Sequence, residues 1–152
     1  MNVADPLTLL GTWRLDRVIE DRRNDVRGTA SGRLTLEPEP DGDRIRWAEE
    51  CRLEWRDYSG PATRTYYLDR GPDGWQLTFD DGRLFHPWRP GETVRHDCGA
   101  DDYTGTVTVD PQTRELIIVW QVTGPRKDYT STTRLTLTRP YDRDATAEAT
   151  VR

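Results

Sequence analysis

Polar and apolar residues alternate with a period of two through almost every segment between Gly11 and Arg139, and no window of twelve residues carries a helical stripe. The pattern predicts an all-β chain. Residues 11–21 put Trp13, Leu15 and Ile19 on one face, and 29–37 align Leu34 and Leu36 before Pro38 and Pro40 break the run. Residues 43–57 align Ile45, Trp47, Leu53 and Trp55, with Ser59-Gly60-Pro61 as the expected terminator. Further strands are expected at 62–69, 74–79, 83–88, 93–98, 102–109, 115–123 and 129–138, separated by Gly71-Pro72-Asp73-Gly74, Asp81-Gly82, Pro90-Gly91 and Asp110-Pro111. About ten antiparallel strands joined by short turns make an up-and-down meander, which removes its edges by closing into a β-barrel.

One hairpin can be tested against its own residues. With Asp81-Gly82 as a two-residue turn, Phe79 falls beside Leu84, Leu77 beside His86 and Trp75 beside Trp88, so the large side chains share a face and His86 points with them. The same register sets Asp80 opposite Arg83.

Charges on the inward parity carry the functional signal. Arg17 interrupts Trp13, Leu15 and Ile19; Glu49 interrupts Trp47 and Leu53; Arg64 shares its parity with Tyr66 and Leu68. His96 lies between Val94 and Cys98, and Tyr103 and Tyr129 head strands whose inward sets continue as Val107, Val109, Leu135 and Leu137. Two readings stand side by side. Arg17, Glu49 and Arg64 form a structural polar network or turn outward at a bulge, or they line a ligand cavity of the size a small barrel encloses. Inside, each unpaired charge costs several kcal/mol, so pairing or a wet cavity is required.

Composition narrows the classes. The 152 residues suit one domain, expected at 1–140, followed by a polar, aperiodic and frayed tail at 141–152. With 22 basic against 27 acidic residues and a net charge of −5, the chain lacks the positive surplus that nucleic-acid binding needs. No apolar run is long enough to cross a bilayer, and the N-terminus lacks the build of a secretion signal, so a cytoplasmic protein without membrane contact, monomer or homodimer, is the expectation. Cys51 and Cys98 are far apart and outside any Cys-x-x-Cys motif, which fits two buried thiols.

Two resemblances extend this. Gly11-Thr12-Trp13 resembles the Gly-x-Trp signature opening lipocalin-like (calycin) barrels, which implies a Trp closing one end under an Arg of the last strand, Arg134 or Arg139. The span 9–139 resembles an uncharacterised bacterial and fungal family of lipocalin-like domains, through Asp81-Gly82-Arg83-x-Phe85-His86, His96-x-Cys98-x-x-Asp101-x-Tyr103 and Trp120-Gln121-Val122-Thr123-Gly124-Pro125-Arg126-Lys127-Asp128-Tyr129. The resemblance implies a fold and a set of residues, without a substrate. Its fourth-strand pattern is present as Ala62-x-Arg64-x-Tyr66, while its third-strand acid corresponds to either Glu49 or Glu50.

Two function classes follow. The first is a binding barrel for a small amphipathic, anionic molecule. Here Trp47, Trp75, Tyr66 and Trp120 give apolar contact; Arg17, Arg64, Arg83, Arg126 and Lys127 give charge; Glu49 and Tyr129 complete the polar lining. Lys127 is the single Lys among 22 basic residues, and an ammonium, unlike a guanidinium, can be tuned toward a base or nucleophile. The second is a cofactor-independent isomerase, cyclase or hydrolase in which His86 or His96 is the general acid/base, with Asp101, Tyr103 or Glu49 as partner. No metal or other cofactor is expected: His96 and Cys98 are two apart on a strand, almost 7 Å, a long reach for one ion.

Overall fold

The computed structural model describes residues 5–40 and 43–142, and these build a single ten-stranded antiparallel sheet curled into a nearly closed barrel. The strands are β1 (Gly11–Asp21), β2 (Val26–Pro38), β3 (Arg44–Trp55), β4 (Tyr58–Gly71), β5 (Gly74–Phe79), β6 (Leu84–Pro87), β7 (Thr93–Cys98), β8 (Asp101–Asp110), β9 (Glu115–Thr123) and β10 (Asp128–Pro140). Their order is β6-β5-β4-β3-β2-β1-β10-β9-β8-β7. Every neighbouring pair is sequential except β1 with β10, whose ladder from Gly11↔Pro140 to Asp21↔Tyr129 joins the two ends of the chain. The up-and-down reading therefore holds, and β6 and β7 are left facing each other as the one seam of the sheet.

Because each strand reverses its neighbour, the barrel has two chemically distinct ends. At the start of β1, Trp13, Leu15, Leu34, Leu36, Leu116 and Leu135 are at most 2% exposed and fill the lumen as a dry floor. A 3-10 turn, Pro6–Leu9, closes this end. Asp5 caps it by accepting from Leu7 N at 3.0 Å, Pro6 occupies the first helical turn where its missing N–H costs nothing, and the Leu9 carbonyl accepts Trp13 Nε1–H at 2.9 Å. Neither Arg134 nor Arg139 covers Trp13. Both are exposed, and Arg134, on the outer parity of β10, binds Glu115 at 2.8 Å.

Three strand-level expectations need correction. The third strand turns at Arg56-Asp57, with Arg56 at φ 56°, and Ser59-Gly60-Pro61 lie inside β4. Pro61 is tolerated there because β5 pairs with β4 only from Tyr66 onward, so no ladder partner waits for its missing N–H. The β5–β6 hairpin uses a three-residue loop, with Gly82 N bonding Phe79 O at 2.9 Å and Phe79 N bonding Arg83 O at 2.8 Å. That shifts Leu84 opposite Thr78 and out to solvent, 49% exposed, until a bulge at Phe85 restores Leu77↔His86. Arg83 consequently pairs with Asp81 at 2.7 Å instead of Asp80. Finally, Cys51 is half-buried and Cys98 exposed, both as free thiols, because each lies toward the wetter end of the lumen. Tyr141 still bonds Leu10, and residues 143–152 of the expected tail lie outside the described residues. Among the described residues no helix is long and apolar enough to cross a membrane.

Candidate functional site

Above the floor the lumen opens into a cavity of about 350 Å³, at the lower end of the size range of small-molecule sites. Two groups of side chains line it and a third surrounds its rim.

The first is ionic. Arg17 (β1) and Glu49 (β3) are 11% and 5% exposed and bond through Nη2 and Oε1 at 3.0 Å. Arg17 Nε donates to Thr133 Oγ1 at 2.7 Å, and Trp47 Nε1 donates to the second Glu49 oxygen at 3.0 Å. Both carboxylate oxygens are thereby engaged, which a buried acid requires. Glu50, the alternative acid, points outward and bonds Arg33 at 3.0 Å. Arg64 stands directly opposite Glu49 in the β3–β4 register. It is exposed, and its side chain borders both the lumen and the rim. Desolvation by the surrounding protein disfavours its charge, but the Tyr66 hydroxyl and the Glu49 carboxylate outweigh that and hold the guanidinium ionised. One carboxylate thus faces two guanidiniums and pairs with only Arg17, and the lumen carries a positive surplus although the whole chain is acidic.

The second group is aromatic and occupies the β6–β7 seam. Phe85 stacks on Phe79 at 4.8 Å and on Trp120 at 5.0 Å between centroids. His86 and His96, from the two unpaired edges, both meet the Phe85 ring edge-to-face, at 4.9 and 5.1 Å. Ring packing closes the gap that backbone hydrogen bonds leave open. Trp120 lies across Gly105, where a Cβ would approach its ring to 2.5 Å, so only glycine allows this placement. His86 is 3% exposed and its Nδ1 lies 2.8 Å from Pro87 O. A carbonyl only accepts, so Nδ1 carries the proton and Nε2 is the acceptor nitrogen. Burial, with His96 nearby, lowers the His86 pKa from its ordinary value and keeps the ring neutral.

The third group forms the rim. Trp55 packs edge-on to Tyr129 at 5.2 Å. Its Nε1 donates to Asp21 at 3.0 Å, and Asp21 also accepts from Asn24 N, Asn24 Nδ2 and Arg56 Nε, at 3.1, 3.0 and 2.9 Å. Burial would raise the Asp21 pKa, but these four donors prevail and hold it at about 2. Lys127 bonds Tyr103 Oη at 3.2 Å and Asp101 at 3.0 Å. Both contacts, Tyr103 foremost, raise the ammonium pKa above its usual value, the opposite of what a nucleophilic lysine needs. Burial, with Tyr103 adjacent, raises the Tyr129 phenol.

Of the residues singled out from sequence, Arg17, Glu49, Arg64, Tyr66 and Arg83 meet the cavity from one side, and His86, His96, Tyr103, Trp120 and Tyr129 from the other. Asp101, Arg126 and Lys127 do not line it. Asp101 and Lys127 are committed to each other, while Arg126 is exposed on the β9–β10 connection. Trp75 lies toward the floor, with Arg70 over its ring at 4.6 Å. Sequence reasoning passed over Ser131 and Thr133, although Tyr129 and Leu135 fix their inward parity; it set Phe79 on the inward face but missed Phe85 as cavity wall because the bulge was invisible. Among the described residues no cluster of three His, Cys, Asp or Glu side chains is placed to hold a metal ion.

No curated protein matches the chain. A family model does, over residues 9–137, which is nearly all of the barrel, and the chain belongs to that family of unknown function, DUF6314.

Proposed function

We propose that the barrel binds a small amphipathic anion in its lumen. One observation carries the reading: Arg64 faces the cavity as a cation with no carboxylate of its own, since both Glu49 oxygens are taken by Arg17 and Trp47. A charged guanidinium at the rim of the lumen, beside stacked aromatic rings, favours a ligand that brings a negative group and an apolar aromatic body. The catalytic alternative has less behind it. The His86 hydrogen bond goes to a backbone carbonyl, and Asp101, its candidate partner, is bound by Lys127. The Pro87 carbonyl orients that ring, but no carboxylate joins it, since Glu49 is held by Arg17 and Trp47.

The test is a titration by intrinsic tryptophan fluorescence with naphthalene-2-sulfonate and its uncharged parent, naphthalene. The anion should bind about tenfold more tightly, and Arg64→Leu should abolish that preference while leaving the melting temperature nearly unchanged. Equal binding of the charged and neutral probes would overturn the reading.

A further inference from the structure

We infer that the ligand is a one- or two-ring aromatic carboxylate that also carries a hydrogen-bond donor, such as a hydroxyl, at the end of the ring remote from the acid. This deepens the anion-binding reading and rests on it.

The argument runs along one wall of the cavity. Arg64 and Tyr66 share the inward face of β4 two residues apart, the Tyr66 ring lies 5.6 Å from that of Phe85, and the Phe85 ring lies 4.9 Å from that of His86. A cation and an acceptor nitrogen therefore stand on either side of an apolar stretch about as long as the rings that form it. The wall between them is aromatic, with Phe85 sandwiched between Phe79 and Trp120 at 4.8 and 5.0 Å. The ring edges that such a stack leaves free favour the face of an aromatic ligand.

The far end is where the ligand class becomes specific. The Pro87 carbonyl fixes the His86 tautomer, so Nε2 has a lone pair and no proton to offer. The ring is 97% withdrawn from solvent, and an acceptor left dry against an apolar ligand loses its water without replacement. The matching group on the ligand must be a donor. A carbonyl, an ether or a second carboxylate at that end would oppose lone pair to lone pair. The floor below is closed by leucines and Trp13, which limits length and leaves no room for an acyl tail. At about 350 Å³ the cavity holds one or two rings with their substituents.

The experiment titrates the unaltered protein by intrinsic tryptophan fluorescence and calorimetry with a set of probes: benzoate, the meta and para hydroxybenzoates, para-methoxybenzoate, a hydroxynaphthoate, and the neutral phenols phenol and naphthol. A hydroxylated acid should bind at least about tenfold more tightly than benzoate, and the methoxy compound more weakly than benzoate, because it presents an acceptor to an acceptor. His86→Leu should level the hydroxylated acids with benzoate and leave benzoate itself within about threefold. Should that variant fail to fold, the probe series alone decides the matter. If benzoate and every hydroxylated acid bind equally, the donor requirement falls and anion binding survives. If no carboxylate binds while neutral phenols do, the anion reading itself falls.

Discussion

The floor and the mouth of this barrel are built from the same ten strands, yet they follow opposite rules. At the floor, alternation is strict, and Leu15, Leu34, Leu36 and Leu135 have no measurable exposure. At the mouth, the same inward positions deliver Arg17, Glu49, Arg64, Thr133, His86 and His96. Near the floor apolar area removed from water holds the strands together, at roughly 25 cal/mol per Å². Near the mouth each polar group must find a partner first, and what remains unpaired is available to a ligand. The comparison teaches that stability and recognition are divided along the barrel axis.

The largest expected effect tests whether the mouth is only functional. Glu49→Leu removes the one carboxylate between Arg17 and Arg64, and should destabilise the fold by about 3–5 kcal/mol in denaturant unfolding, because a buried guanidinium is left unpaired. The same variant, where folded, should bind anions more tightly. Destabilisation below about 1 kcal/mol would mean that water reaches the pair freely, and the division by depth would fail.

Next comes the floor. Leu116→Ala should cost about 2–5 kcal/mol, by lost transfer energy plus the residual cavity, with the denaturant slope unchanged. Ligand affinity should stay within about twofold, since Leu116 pairs with Leu135 and Val109 and lies outside the cavity lining. A large loss of affinity at constant fold would break the separation.

Asp21 sharpens the comparison at the rim. Its folded pKa of about 2 lies below the ordinary 3.8, so its contribution is fully present above the unfolded value and is lost as pH falls from about 4 through about 2. Acid unfolding monitored by Trp fluorescence should therefore include the release of Trp55 from Asp21, and Asp21→Asn should flatten stability across that window. An unchanged acid limb in the variant would remove Asp21 from the account.

The smallest effect is expected at Lys127. Its side chain is 40% exposed, so Lys127→Met should cost no more than about 1 kcal/mol. The readout that distinguishes a positioning role is the phenol titration of Tyr129, followed by absorbance, which should move further up when the ammonium is removed. Lys127 then acts on the site through Tyr103, without touching a ligand.

Much of this was legible without coordinates. Alternation gave the ten strands because a half-buried strand must alternate, and it gave the inward parity of Arg17, Glu49 and Arg64 because no bulge intervenes on those strands before the cavity. The β5–β6 hairpin shows the limit. Its register was misread by one residue at Leu84 and came right at His86 only because a bulge compensates for a three-residue loop. Local sequence does not encode such a bulge; the packing of Phe85 between Phe79 and Trp120 selects it. Lys127 shows a second limit. Its scarcity in the composition suggested reactivity, while its actual partners, Tyr103 and Asp101, come from β8 and are brought to it only by the β8–β9–β10 ladders.

The sequence by itself determined that the chain is a β meander, which face of each regular strand is dry, and that charges stand where a core should be. Those are properties of nearest neighbours and of a period of two. Only the tertiary structure decided which charges neutralise one another, that Arg64 is the cation left over, that His86 offers an acceptor and that the β6–β7 edges are sealed by rings instead of hydrogen bonds. Each of these depends on residues from strands distant in sequence meeting inside a curved sheet, and curvature is set by the whole barrel at once.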